Sequence, residues 1–138
     1  MPENPMTDSL TELHGIRVLR CAEQGRTLQS ERDALELIGE ATQHEAAVIV
    51  IPVARLGEDF FRLSTGVAGQ MIQKPVTYGL RVAIVGDISR QVGQSAAWRD
   101  LVAEANRGEQ FCFVPDTGAL GAWLARAPAP GAPAPRRA

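Results

Sequence analysis

Residues 47–51 read Ala-Val-Ile-Val-Ile, a continuous apolar run of strand length. Two later stretches repeat the pattern, Leu-Arg-Val-Ala-Ile-Val over residues 80–85 and Phe-Cys-Phe-Val over residues 111–114. A strand with one face in water alternates apolar and polar residues, whereas an unbroken apolar run is typical of a strand that is buried on both faces. The sequence therefore predicts a mostly parallel sheet that is covered on both sides.

Segments with helical spacing separate these strands. Ser30 is placed to cap a helix, with Asp33 at the capping-box position. A later helix is expected to stop at residues 106–108, where Asn or Gly readily adopts a left-handed C-cap, and Asp116 is placed to cap a short last helix. The apolar stripes are Ala34, Leu37, Ile38 and Ala41 in the first helix and Trp98, Leu101, Val102 and Ala105 in the later one.

The start of the chain indicates one further pair of strands. Residues 16–21 read as a strand after the His14-Gly15 turn, and residues 10–13 as a short antiparallel partner. Helices that alternate with doubly buried strands require crossover connections. We therefore expect a single α/β domain over residues 9–126, with a mostly parallel sheet of roughly five strands, one antiparallel edge strand and about four helices. Residues 1–8 and the Pro/Ala-rich residues 127–138 are expected to be flexible.

Composition excludes several classes of protein. The 138 residues carry 14 Lys+Arg and 16 Asp+Glu, a formal charge of -2, so no overall basic field favours nucleic acid as a partner. The longest apolar run is far below the ~20 residues that span a membrane, and the first residues do not resemble a secretory signal. We expect a cytoplasmic protein without a membrane partner, in which Cys21 and Cys112 are buried core residues.

The stretch from Asp59 to Lys74 predicts a two-sided helix that ends at Pro75. Its apolar side centres on Ser64, which should be buried. Two glycines on the opposite side each cost ~1 kcal/mol relative to alanine in a helix interior. Three explanations stay open: another part of the chain packs there, the glycines are merely tolerated, or a second copy forms a homodimer across this face. The candidate partner face consists of Arg62, Gly66, Gly69 and Gln73.

Loops at the carboxyl ends of parallel strands are where such sheets bind ligands. The candidate ligand rim there consists of Arg55, Glu58, Asp87, Ser89 and Asp116. These residues could form a small binding or acid/base site, but the sequence favours helix caps at Ser89 and Asp116 and a solvent-exposed Arg55. The GxGxxG, GxxxxGK[ST], CxxC and HExxH motifs are absent. We expect no cofactor and no metal.

Three blocks of the chain resemble the bacterial domain of unknown function 4180 family: residues 59–74, 80–89 and 104–108. The resemblance covers about residues 10–125, and the pattern FFxLxTGxAGxxxQK is its most specific part. It implies a compact α/β domain and carries over no activity, cofactor or catalytic residue. Where the family's central helix more often reads TGLAGEILQKF, this chain has Gln70 in place of the acidic residue and Pro75 in place of the aromatic one.

The order of elements also resembles the STAS fold of anti-anti-sigma factors by analogy. The resemblance implies a switch in which a serine near the start of the second helix is phosphorylated, and Ser64 and Thr65 are the residues at that place. A phosphate on Ser64 would lie in the apolar stripe, where its desolvation is prohibitive. Thr65 could be reached only if the helix begins late.

Two functions remain open from the sequence. The favoured one is a non-catalytic regulatory or protein-binding module that forms a homodimer. The alternative is a cofactor-independent small-molecule-binding protein or enzyme, of the kind used in secondary metabolism, that works at the rim. A pocket of ligand size at Asp87 and Asp116 would favour the alternative, and a flat rim would count against it.

Overall fold

A computed structural model describes residues 8–25, 27–62 and 65–126. Its strands are β1 (Ser9–Leu13), β2 (Ile16–Arg20), β3 (Val48–Pro52), β4 (Arg81–Val85) and β5 (Phe111–Val114). Its α-helices are α1 (Glu31–Gln43), α2 (Val67–Thr77), α3 (Ser89–Gln94), α4 (Ala96–Arg107) and α5 (Thr117–Arg126), and a 3-10 helix, η1, spans Val53–Arg55. The segments predicted to be flexible, 1–8 and 127–138, lie outside the described residues except for Asp8, whose Oδ1 accepts a hydrogen bond of 2.7 Å from the amide of Ala22.

The five strands form one sheet in the order β1-β2-β3-β4-β5. The first two are antiparallel, with Leu13 opposite Ile16, and every later pair is parallel, with Val18 opposite Val48 between β2 and β3. The prediction of an α/β domain with a five-stranded, mostly parallel sheet and one antiparallel edge strand is confirmed. The described residues form five α-helices rather than about four, because the segment between β4 and β5 is divided at Ser95.

Both faces of the sheet are buried, as the unbroken apolar strands indicate. Strands that follow one another in sequence order, joined by right-handed crossovers, place their connecting helices on one face. Ile49 and Ile51 belong to the core under α1, α2 and α4. Val48 and Val50, which point the other way, belong to a second core under α5. Helix α5 therefore covers the face that the crossover helices leave open.

The capping box predicted at the start of the first helix is confirmed. The Ser30 hydroxyl accepts a hydrogen bond of 3.2 Å from the Asp33 amide, and Asp33 Oδ2 accepts one of 3.2 Å from the Ser30 amide. This reciprocal capping box fixes where α1 begins. Cys21 and Cys112 are both buried, as predicted, and burial raises the pKa of the Cys21 thiol.

The central helix begins later and ends later than the sequence predicts. It starts at Val67 instead of near Asp59, because Gly66 adopts a left-handed conformation with φ of 80° and interrupts the helical path. Pro75 does not end the helix but lies buried inside it. Proline keeps a helical φ at the cost of one hydrogen bond.

Two further cap predictions have different outcomes. The prediction of a left-handed C-cap at residues 106–108 is wrong, because the C-cap Gly108 is extended, with φ of -95° and ψ of -170°. Asp116 does cap α5, since its Oδ1 accepts a hydrogen bond of 2.9 Å from the amide of Ala119. Ser89 is the first residue of α3 but does not cap it. Its amide donates a hydrogen bond of 2.9 Å to Asp87 Oδ1.

Candidate functional site

An open cleft with a volume of about 570 Å³ lies at the carboxyl ends of β3 and β4, on the face that carries α2 and α4. Volumes of this size hold small-molecule ligands. Three chain segments form its walls: residues 53–62 after β3, helix α3, and the start of α4. This is the edge of a parallel sheet where ligands are expected.

The segment after β3 is shaped by a tight turn over residues 57–62. The amides of Phe60, Phe61 and Arg62 donate to carbonyl oxygens three residues earlier, at distances of 3.1, 3.0 and 3.2 Å. The turn buries Phe60 and leaves Phe61 half-buried at the wall of the cleft.

An aromatic cluster forms the apolar wall of the cleft. The ring centroids of Phe61 and Trp98 are 5.3 Å apart, and those of Phe60 and Trp98 are 5.8 Å apart. The indole Nε1 of Trp98 donates a hydrogen bond of 2.7 Å to the carbonyl oxygen of Phe61. The buried indole therefore has its only donor satisfied, and its ring is held against the turn.

Charged side chains line the mouth of the cleft. Glu58 supplies one carboxylate, and Arg62 and Arg90 supply two guanidinium groups. All three residues are exposed. Arg62 forms an ion pair with Asp59, in which Nη1 lies 3.9 Å from Oδ1 and both side chains are more than half exposed. In high dielectric such a pair contributes little, so its guanidinium stays accessible to another anion.

The predicted ligand rim is not brought together at this cleft. Glu58 alone lines it. Arg55 turns toward the end of β2, where its NH1 donates a hydrogen bond of 2.8 Å to the carbonyl oxygen of Ala22. Asp87 is exposed, and hydrogen bonds from Ser89, chiefly from its backbone amide, lower the pKa of the Asp87 carboxyl. Asp116 is likewise an exposed helix cap.

The predicted partner face is divided. Arg62 lies in the cleft, whereas Gly66, Gly69 and Gln73 line a shallow depression of about 320 Å³ along α2. Gly66 is the N-cap of α2 rather than an interior residue. A methyl group added at Gly66 or Gly69 would meet no atom of the described chain within 4 Å. Packing of another described segment against these glycines is therefore excluded, while the tolerated-glycine and homodimer explanations stay open.

Two residues with hydroxyl groups, Ser64 and Thr65, precede α2. Ser64, predicted to be buried, lies outside the described residues. Thr65 is exposed because α2 begins late, and its hydroxyl lies 2.6 Å from the carbonyl oxygen of Asp59 and 2.9 Å from that of Arg62. The same hydroxyl accepts a hydrogen bond of 3.3 Å from the Val67 amide, so it helps to start the helix. Phosphorylation here stays a prediction.

Sequence reasoning missed most of the cleft, including Phe61, Arg90 and Trp98. Phe61 and Trp98 both read as core residues of helices, and their positions 37 apart give no sign that they meet. Arg90 had a usable signal, because it follows β4 at the carboxyl edge of the sheet.

Over residues 8–25, 27–62 and 65–126, no three His, Cys, Asp or Glu side chains are grouped so that they could hold a metal ion. In the same ranges, no helix combines the length and the apolar character needed to cross a membrane.

Comparison with known proteins gives one match. No curated protein and no solved structure matches the chain. The model of one protein family, described as domain of unknown function (DUF4180), matches residues 13–124. The matched residues include β2 to β5 and the last residue of β1. They also include every residue that lines the cleft and the glycine-lined depression on α2. The chain belongs to the DUF4180 family.

Proposed function

We propose that this protein is a non-catalytic regulatory module that binds a small molecule in the cleft between the 57–62 turn, α3 and α4. The observation that carries the proposal is a cleft of about 570 Å³ at the carboxyl edge of the sheet, with an aromatic wall and charged groups at its mouth. Apolar walls with a few placed polar groups are typical of ligand sites. The cleft contains neither Asp87 nor Asp116, so the predicted rim does not support ligand binding, and the proposal depends on the cleft beside it.

The connection of the cleft to the rest of the chain supports a regulatory role. The 57–62 turn lines the cleft, and Thr65 joins that turn to the first residue of α2 through its hydroxyl. A ligand that contacts the turn would also bias the start of α2, whose glycine-lined face is open. Ligands act on a partner surface through differential contacts of this kind.

The two tryptophans of the chain provide the test. Trp98 lines the cleft, whereas Trp123 lies in the core on the other face of the sheet. In a ¹⁵N-correlated NMR spectrum, a set of neutral and charged aromatic fragments at millimolar concentration should shift the Trp98 indole signal saturably and leave the Trp123 signal in place. The variant Trp123→Phe identifies which signal belongs to Trp98.

A matched pair of variants controls for binding elsewhere. Gln94→Phe fills the cleft from the exposed face of α3, and Gln73→Phe adds the same ring to the depression on α2. We expect Gln94→Phe to abolish the fragment-induced shifts and Gln73→Phe to keep them. Shifts that survive Gln94→Phe, or no shift from any fragment, would overturn the proposal.

Partner binding through α2 is a second candidate, favoured by the open surface at Gly69. If a second copy covers this face, Gly69→Leu should convert a dimer to a monomer in native mass spectrometry. Gly39→Leu is the control, because Gly39 is also an exposed helical glycine with nothing within 4 Å of an added methyl group. A wild-type monomer, or an equal effect of the two variants, would reject the homodimer across α2.

A further inference from the structure

We propose that the cleft selects an aromatic anion, with its charged group between Arg62 and Arg90 and its ring against Phe61. This inference rests on the proposed function and specifies the chemical class of the ligand. It concerns residues that lie on two different elements, the turn after β3 and helix α3.

The charge balance of the cleft supports an anion. Two guanidinium groups against the one carboxylate of Glu58 leave the lining with a net charge of +1, whereas the whole chain carries -2. Asp59 lies just outside the lining, 3.9 Å from Arg62, and offsets part of this charge, so Arg90 is the stronger anion-binding group. Among the described residues, no ion pair involves Arg90. Its guanidinium is therefore available to a carboxylate or phosphate, which it can bind through two parallel hydrogen bonds.

The walls of the cleft define the rest of the ligand. The half-buried ring of Phe61 offers an apolar surface to the cleft, and the buried ring of Trp98, inclined by 50° to it, packs against it. Aromatic surfaces of this kind bind planar apolar groups by offset or edge contacts. The polar side chains of Gln91 and Gln94 on α3 lie beside them and can donate hydrogen bonds to ring substituents. A flat ring with one acidic group satisfies all of these contacts.

Matched aromatic acids and their amides test the anion, because the members of each pair differ in charge and hardly in shape. The probes are 1-naphthoate and 1-naphthamide, with phenyl phosphate added to separate carboxylates from phosphates, and the readout is the Trp98 indole signal in low-salt buffer. We expect the acid to bind about tenfold more tightly than the amide, as one charge-assisted hydrogen bond predicts. Added salt should weaken binding of the acid and leave the amide unchanged.

Charge-removing variants give effects of opposite sign. Arg90→Gln and Arg62→Gln should each weaken naphthoate binding several-fold, and Glu58→Gln should strengthen it, while naphthamide affinity stays the same in all three. Arg107→Gln is the control, because Arg107 is exposed at the far end of α4. All four side chains are exposed, so we expect these variants to fold.

The outcomes separate the two proposals. If naphthamide binds as tightly as naphthoate, or if the arginine variants bind naphthoate normally, the anion inference is wrong and small-molecule binding stands. If neither the acids nor the amides move the Trp98 signal, both proposals fail together. A preference for phenyl phosphate over naphthoate assigns the ligand to the phosphate esters, and the reverse preference assigns it to the aromatic carboxylates.

Discussion

The indole Nε1 of Trp98 donates a hydrogen bond of 2.7 Å to the backbone carbonyl oxygen of Phe61. This contact joins α4 to the turn that follows β3, across 37 residues of sequence. Both residues also line the cleft. The same bond that stabilises the packing of α4 therefore fixes the distance between two walls of the candidate site.

Replacing Trp98 with phenylalanine should loosen the turn as well as the core. The variant leaves the Phe61 carbonyl oxygen without its donor and creates a small void, so we expect a loss of about 2–3 kcal/mol in the free energy of unfolding. Urea denaturation measures that loss. Hydrogen exchange of the amides of residues 57–62 should also become faster.

Trp123→Phe is the matched control for this prediction. It removes a similar hydrogen bond, of 3.1 Å from Nε1 to the carbonyl oxygen of Gly108, but on the other face of the sheet. We expect a loss of stability without faster exchange in the 57–62 turn. Equal exchange in both variants would show that the Trp98 bond does not hold the turn.

Asn106 stabilises the outer edge of the sheet. Its Oδ1 accepts a hydrogen bond of 2.8 Å from the Phe113 amide, and its Nδ2 donates one of 2.9 Å to the Phe113 carbonyl oxygen. Strand β5 is an edge strand, and such strands expose unpaired backbone groups. Asn106→Ala should therefore cost about 1–2 kcal/mol in urea denaturation and increase aggregation. Arg107→Ala, which removes only an exposed pair with Glu104 at 3.4 Å, should change stability by less than about 0.5 kcal/mol.

The sheet could be predicted from the sequence because each strand carries its own signal. The runs at residues 47–51, 80–85 and 111–114 contain apolar residues on both faces, and a strand buried on both sides requires that composition. The capping box at Ser30 and Asp33 is equally local, since its two hydrogen bonds join residues three apart. Signals of this kind need no knowledge of the tertiary structure.

The cleft could not be predicted in the same way because it depends on contacts between distant segments. The start of α2 is decided by the left-handed backbone of Gly66, and a glycine in a sequence is compatible with a helix interior or with a cap. Because the sequence predicts a helix that begins near Asp59, it places Phe60 and Phe61 on the apolar side of that helix and Arg62 on its opposite side. Trp98 carries the correct helical spacing, but spacing does not tell which buried ring also borders a cleft.

Glu40 makes stability depend on pH. Burial, together with a hydrogen bond and the charge of Asp8, raises the pKa of the Glu40 carboxyl from 4.5 to about 6. A raised carboxyl pKa means that the folded state binds the proton more tightly than the unfolded state. Lowering the pH from above 6 to below 4.5 should therefore increase the contribution of this group to stability, by the order of 1 kcal/mol after allowance for solvent screening.

The variant Glu40→Gln isolates that contribution. It should be more stable than the wild type at pH 7.5, and the difference should shrink toward pH 5 when both are unfolded in urea. Glu104→Gln, which changes an exposed carboxylate on α4, serves as the control for removing one negative charge. A constant difference between Glu40→Gln and the wild type across this pH range would contradict the raised pKa.

Three alanine variants distinguish what each glycine does. At Gly39 and Gly69 an added methyl group meets no atom of the described chain within 4 Å, so Gly39→Ala and Gly69→Ala should each stabilise the isolated chain by about 0.5–1 kcal/mol through helix propensity. Gly66→Ala should instead destabilise it by about 1 kcal/mol, because φ is 80° there. Thermal unfolding at low protein concentration measures all three. If Gly69→Ala loses stability only as the protein concentration rises, another copy covers α2 in solution, because mass action makes the stability of an assembled chain depend on concentration.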